Sequence, residues 1–306
     1  MRKIENNTIG RLTSQDAASR SFAQQVWLQY KRNKAAMVGL IFLCVLLFIV
    51  VATYIIDFAT DGAFYTENVI AQNLRARLQP PSAQHWFGCD ELGRDLLYRI
   101  LWGARLSLLI GFVAVAISML FGSGLGILAG YYGGKTDAII MRIMDVFLAI
   151  PSMVLSIAVV TGLGTSTISL LLSIAVAQVP HFARVAKAAV ISVKDSEFIE
   201  AARTLGANDF DIIIKNIIPN ALSPVIVQAT LGTGNAILTV SSLSYLGLGI
   251  QAPAPEWGTI LSTAKMYMRD AWHISVIPGL AIMLTVLTFN LMGDGIRDAL
   301  DPKLKS

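Results

Sequence analysis

Residues able to do covalent chemistry are few in this 306-residue chain, and their spacing scatters them. The three histidines, His85, His181 and His273, fall in three separate segments. No His-Glu-x-x-His or Gly-x-Ser-x-Gly spacing occurs, so no nucleophile has a base beside it and no catalytic residue is assigned. Cys44 lies inside an apolar run and Cys89 in a polar segment; two thiols at different depths read as unpaired, and nothing has metal-ligand spacing. Gly133-Gly134-Lys135-Thr136 looks like the end of a phosphate-binding loop. That motif needs a glycine where Ala129 stands and a strand before it, whereas an apolar helical run precedes it here. Nucleotide chemistry is therefore excluded at that point.

The other polar groups of interest sit within apolar runs, where they are expensive and often functional. Asp145 lies three residues after Arg142, a spacing that predicts a pair along one helix face. Asn235, Asn290 and Gln178 could line a path for a solute or hold helices together. His181 reads as structural.

The elements that must carry these residues are membrane spans. Hydrophobic residues make up 55% of the chain and charged residues only 14%, against about 25% charged in soluble domains. The mean hydropathy is +0.62. Six runs are long and apolar enough to span a bilayer, which takes roughly 20 residues: 35–56, 106–132, 138–161, 165–182, 221–250 and 274–292. Lipid offers no partner to backbone groups, so each is predicted as a helix and the fold class as all-α. The first run follows a long polar tail and is too long for a cleavable signal, so it reads as a retained anchor. The net charge of +4 could suggest nucleic acid in a soluble protein, but the basic residues fall largely between apolar runs. Seventeen of the 24 lysines and arginines lie on the side of the two termini. The positive-inside rule predicts both termini in the cytoplasm.

On this topology two polar segments are external. Segment 57–105 holds the turn signal Gln79-Pro80-Pro81-Ser82, and its stretch 90–99 is predicted as a helix lying on the membrane surface. Segment 250–273 is the other. Gly122, Gly126, Gly130 and Gly134 recur every four residues, which places small residues on one helix face for close packing.

The cytoplasmic loop 184–220 predicts two short helices. The first ends near Leu205, with Gly206 free to take a left-handed conformation. The second is capped by Asn208 or Asp209 and ends at Pro219. Ala201 and Ala202 give the first helix a small-residue patch that another surface could approach. The same spacing suits an amphipathic connector packed on its own bundle.

At these residues the sequence resembles a known family. Glu200-Ala201-Ala202, three residues, Gly206 and then Pro219 match the "EAA" loop of bacterial ABC-importer permeases, with Asn216 where isoleucine is usual and Ile218 where leucine is. The resemblance covers nearly the whole chain. His85-Trp86-Phe87-Gly88, Gly93-Arg94-Asp95, Gly103-Ala104-Arg105, Leu246-Gly247-Leu248-Gly249 and Pro255-Glu256-Trp257-Gly258 are similar to the dipeptide, oligopeptide and nickel branch. The most specific match is the run from Gly293-Asp294-Gly295 to Asp301-Pro302. Together they resemble the second permease subunit of peptide importers.

The resemblance implies a type I importer permease fold in a bacterial inner membrane. It implies a tail at 1–34, a first span with its external segment at 35–105, a five-span core at 106–296 and a tail at 297–306. It implies coupling to an ATPase through Glu200, Ala201, Ala202, Gly206, Asn208, Asp209 and Pro219. A substrate-binding protein would contact Pro255, Glu256, Trp257 and Gly258. The partners would be a second permease, two ATPase subunits, which would use ATP and magnesium, the binding protein and lipid, but no nucleic acid. This chain would be no enzyme and hold no cofactor. The cargo would be a dipeptide, oligopeptide or glutathione-like peptide, with nickel or a metal chelate as the alternative. A secondary transporter would instead want intramembrane carboxylates or inverted repeats; only Asp145 is available and no repeat is visible.

Overall fold

The computed structural model describes residues 22–300, and these are overwhelmingly helical. In chain order the helices are α1 (Phe22–Arg32), α2 (Lys34–Ala59), α3 (Leu96–Tyr132), α4 (Gly134–Leu148), α5 (Ser152–Leu163) and α6 (Thr167–Lys194). There follow α7 (Glu197–Thr204), α8 (Asp209–Ile212), α9 (Ile218–Tyr245), α10 (Trp257–Ala264) and α11 (His273–Leu300). Among the described residues, five helical stretches are long and apolar enough to cross a membrane. The count rises to six if α4 and α5 form one span.

The predicted third span, 138–161, is therefore not one straight helix. α4 and α5 meet at an angle of 89°. Pro151 is the cause, because its ring disfavours helical geometry in the residue before it and it offers no N–H to the preceding turn. α5 has 12 residues, a rise of about 18 Å, so it is shorter than a bilayer core. α4 is held to α6 by Lys187 Nζ on Asp137 at 2.5 Å and by Arg184 on Asp145 at 2.7 Å. Asp145 thus pairs across helices with Arg184, not along its own helix with Arg142.

Of the other spans, α3, α6 and α11 run well past their predicted bounds. α3 starts at Leu96, because Asp95 caps it by accepting from the N–H groups of Leu97 and Tyr98. α6 continues to Lys194 because Ala183, Ala186, Ala189 and Val190 extend its apolar face. That face meets the glycine stripe of α3. A methyl group on Gly122 would come within 2.5 Å of the Val179 carbonyl oxygen, and one on Gly130 within 2.9 Å of Val190 Cβ. Gly126 lies against the carbonyl oxygen of Ala183. Gly134 does not belong to the stripe. It begins α4 with φ +51°, after α3 has ended at Gly133, and a methyl group there would meet nothing. Ile110, Ala114, Leu170, Ile174, Val240 and Leu243 fill the space between α3, α6 and α9.

Segment 90–99 is not a surface helix. Residues 90–95 fold into turns around buried charges. Asp90 accepts from Arg94 Nε at 2.6 Å and faces Arg99 Nε at 3.2 Å, while Arg94 also reaches Glu91 at 2.9 Å. Asp90, Arg94 and Arg99 are almost fully buried. The charges spaced along the sequence pair inward, so no charged face is left to lie on lipid. Close by, Asp57 on α2 accepts from Arg105 at 2.6 Å and from the Trp102 indole at 3.1 Å.

Candidate functional site

The loop between α6 and α9 is built as a rigid elbow. α7 ends as its sequence predicts. Gly206 has φ +86°. The N–H of Gly206 reaches the Arg203 carbonyl at 2.9 Å, and that of Ala207 reaches the Ala202 carbonyl at 3.1 Å. These two bonds complete a Schellman motif. Two residues after Gly206, Asn208 Oδ1 accepts from the Asp211 N–H at 2.8 Å and caps α8. The two caps leave few free torsions between α7 and α8.

Pro219 does not end the second helix. The chain stays helical from Asp209 to Tyr245. A wider, π-type turn over Ile213–Ile217 precedes the proline, and the Ile218 N–H bonds to the Ile213 carbonyl, five residues back. The ladder has therefore already shifted when the missing donor of Pro219 is reached.

Ile199, Ile212 and Ile217 are fully buried, against Tyr131, Ala189, Val190 and Ala221. Tyr131 Oη donates to Asp209 Oδ1 at 2.6 Å, and the Arg203 guanidinium lies 5.7 Å from the Tyr131 ring centre. The opposite face is bare. Glu200, Ala201, Gly206, Asn208 and Asp209 are exposed, and Ala202 is half-buried. Leu205 is 88% exposed and Phe210 73%. Sequence reasoning missed both, since an apolar residue in a short helix reads as an anchor. Such a knob makes and breaks no bonds; it can fill an apolar recess on another protein.

Pro255, Glu256, Trp257 and Gly258 do not offer a docking surface, because all four are buried within the chain. Glu256 is 0% exposed and caps α10, accepting from Gly258 N–H at 3.0 Å, Thr259 N–H at 2.9 Å and Ser107 Oγ at 3.1 Å. The Trp257 indole donates to the Ile100 carbonyl at 2.9 Å. These residues lock segment 250–273 onto α3. The exposed residues beside them are Gln251, Ala252 and Pro253.

Asn235 and Asn290 face different cavities. Asn290 lines an apolar groove of about 770 Å³ between α5, α9 and α11. Asn235 lines a smaller polar cavity of about 240 Å³ between α5, α6 and α9, together with Gln178, His181 and Gln228. In segment 60–95, Cys89 is buried, and burial, with Asp95 and Asp90 nearby, pushes its thiol up to about 11. No group of three or more metal-binding side chains forms among the described residues.

Comparison with known proteins bears on both halves of the chain. Residues 122–306 match the family described as binding-protein-dependent transport system inner membrane component. Residues 21–81 match the N-terminal TM domain of oligopeptide transport permease C. The dipeptide transport system permease protein DppC of Alkalihalophilus pseudofirmus is 48% identical over 92% of this chain and 90% of the relative. The glutathione transport system permease protein GsiD of Pectobacterium atrosepticum is 41% identical over 95% and 94%. Among solved structures, a chain of the inward-facing MetNI methionine ABC transporter superposes with a TM-score of 0.55 at 19% identity, covering 67% of this chain and 98% of that one.

Proposed function

The chain belongs to the binding-protein-dependent transport system inner membrane component family, with the type I ABC-importer permease fold, and from that premise we propose that it forms half of the path of a peptide importer. The observation that carries the coupling part of this reading is the elbow. Its inner face is fixed to α3 and α6 by Ile199, Ile212, Ile217 and Tyr131, and its outer face presents Leu205 and Phe210 unpartnered. A separate ATPase subunit would receive that face, with Glu200, Ala201, Ala202, Gly206, Asn208 and Asp209 in or beside the contact. ATP and magnesium would act there, since this chain contributes no phosphate-binding loop. A second permease completes the path, and a binding protein delivers cargo on the side opposite the elbow. The count of basic residues supports placing the elbow and both termini in the cytoplasm.

In this mechanism the chain supplies differential packing between two states, not bond chemistry. Closure of the ATPases pushes the elbow, and the push passes into α3, α6 and α9. Peptide as cargo is supported by the dipeptide and glutathione permeases that it resembles. The test is gentle purification of the tagged chain from its native membrane, followed by mass spectrometry and reconstitution. The expected result is co-purification of a second permease and ATPases, and ATP-driven uptake of labelled dialanine in the presence of the binding protein. Recovery of the chain alone under mild crosslinking would overturn the assembly. Uptake of a nickel chelate and not dialanine would overturn the cargo.

A further inference from the structure

The polar cavity between α5, α6 and α9 has no role in the elbow. Its polar lining includes Gln178, His181, Gln228 and Asn235, with the hydroxyls of Ser152, Ser156 and Thr239. The side chains of His181, Gln228 and Asn235 make no hydrogen bond among the described residues, and Gln178 makes only a long one, 3.4 Å to the Gly232 carbonyl. Depth makes this costly. Gln178 lies 16 residues from the end of α6 at Lys194, about 24 Å, and Asn235 lies 10 residues from the end of α9 at Tyr245, about 15 Å. Free amide groups at such depth need water, a ligand or a neighbouring chain. The 89° bend at Pro151 turns α5 so that Ser152, its first residue, borders the cavity.

The chemistry of the lining narrows the ligand. It holds no carboxylate, ammonium or guanidinium. Each glutamine and asparagine offers both a donor and an acceptor, the pattern that an extended peptide backbone presents. A neutral lining also binds weakly enough to let a cargo leave, as conduction requires. We propose that this cavity is a main-chain-reading peptide subsite on the translocation path, with Gln178, Gln228 and Asn235 as its contacts. It is indifferent to peptide side chains. The inference rests on the peptide reading above.

The experiment uses the complete transporter in proteoliposomes with its binding protein, measuring uptake of labelled dialanine and of dileucine per ATP hydrolysed. The double variant Gln228→Leu/Asn235→Leu is expected to lose about tenfold in maximal uptake of both peptides, with assembly and basal ATP hydrolysis kept. Gln228→Asn/Asn235→Gln, which keeps the amides, should recover most of it. Unchanged uptake in the leucine variant would overturn the subsite. So would loss of the second permease on purification, which would make these residues helix glue. A second measurement does not depend on the leucine variant folding: Asn235→Cys in a Cys44→Ser background, probed with a water-soluble maleimide. Labelling in either the nucleotide-free or the vanadate-trapped state is expected; none in both would overturn the proposal. A wild-type transporter that moves neither peptide would refute the peptide reading itself, a result visible before any variant is made.

Discussion

Tyr131 Oη and Asp209 Oδ1 are 2.6 Å apart, which ties the last turn of α3 to the first residue of α8 across 78 positions of sequence. With the Arg203 guanidinium over the Tyr131 ring, the bond is one of two polar contacts that join the glycine-striped helix to the elbow among the described residues. A hydrogen bond to a charged group contributes about 1.5–3 kcal/mol. Tyr131→Phe keeps the ring among Ile199, Ile212 and Val190, with the Arg203 guanidinium over it, and removes the hydroxyl that reaches Asp209. The expected outcome is an intact complex that hydrolyses several-fold more ATP per peptide moved. Wild-type stoichiometry in coupled uptake and ATPase assays would show that the bond transmits nothing.

Gly206 sits at φ +86° with open space around it, so its requirement is conformational and not steric. A β-branched residue there costs on the order of 1–2 kcal/mol in strain. Gly206→Val should weaken retention of the ATPase subunits on purification, while Gly206→Asn, which tolerates the left-handed region, should retain them. Equal retention by both would separate the Schellman motif from docking.

The glycines of the stripe and Gly134, which lies beyond it, make opposite demands. Gly126→Val drives a side chain into the Ala183 backbone and should destabilise the bundle by about 1–3 kcal/mol. Gly122→Val should do likewise. Gly134→Val meets no neighbour and should leave α3–α6 packing alone, its cost being local strain at φ +51°. Thermal unfolding in detergent, followed by fluorescence, distinguishes them; equal melting shifts at 126 and 134 would contradict the assignment.

Cys89 provides a pH test. Its thiol is raised from 9.0 to about 11, so at pH 8 roughly one molecule in a thousand carries thiolate, against about one in ten for an unshifted thiol. The raised value means that the folded chain holds this proton more tightly than the unfolded chain. Stability from this group is intact below pH 9 and falls between pH 9 and about 11. Maleimide should label Cys89 only after denaturation, and Cys89→Ala should flatten part of the alkaline loss. Rapid labelling of the folded protein at pH 7 would place the thiol elsewhere.

Asp90 carries the fifth test. It is buried against both Arg94 and Arg99. Asp90→Ala would leave two guanidinium groups without their shared partner, a loss of about 3–5 kcal/mol by the usual cost of breaking a buried pair. Protease resistance of segment 60–95 should fall sharply. Unchanged proteolysis would mean that Glu91 alone satisfies the arginines.

What could be read from the sequence follows the range of the forces involved. Spans were legible because apolar runs need no partner to be recognised as such. The caps of α7 and α8 were legible because Gly206 and Asn208 act on residues three positions away. The bend at Pro151 was not read, since hydropathy runs straight through it. Pro219 was read as a stop because the preceding π-type turn leaves no mark in composition. Pro255 to Gly258 looked exposed because they lie in a polar segment, yet Glu256 is satisfied by Ser107, 149 positions away. The polar cavity was half legible: Gln178 and Asn235 stood out in apolar runs, but His181 read as structural and Gln228 was not marked.

The close seam between α3 and α6 has a consequence for how motion travels. With Gly122, Gly126 and Gly130 pressed against a neighbouring helix, the two helices have little room to slide or bow apart. α3 alone is about 55 Å long, with the Asp90–Arg94 knot at its head and Tyr131 at its foot. Together the pair is a spar rather than a spring. A tilt imposed at the foot arrives at the head as a tilt, and the give in the structure is left to the elements outside the spar, above all the corner between α4 and α5.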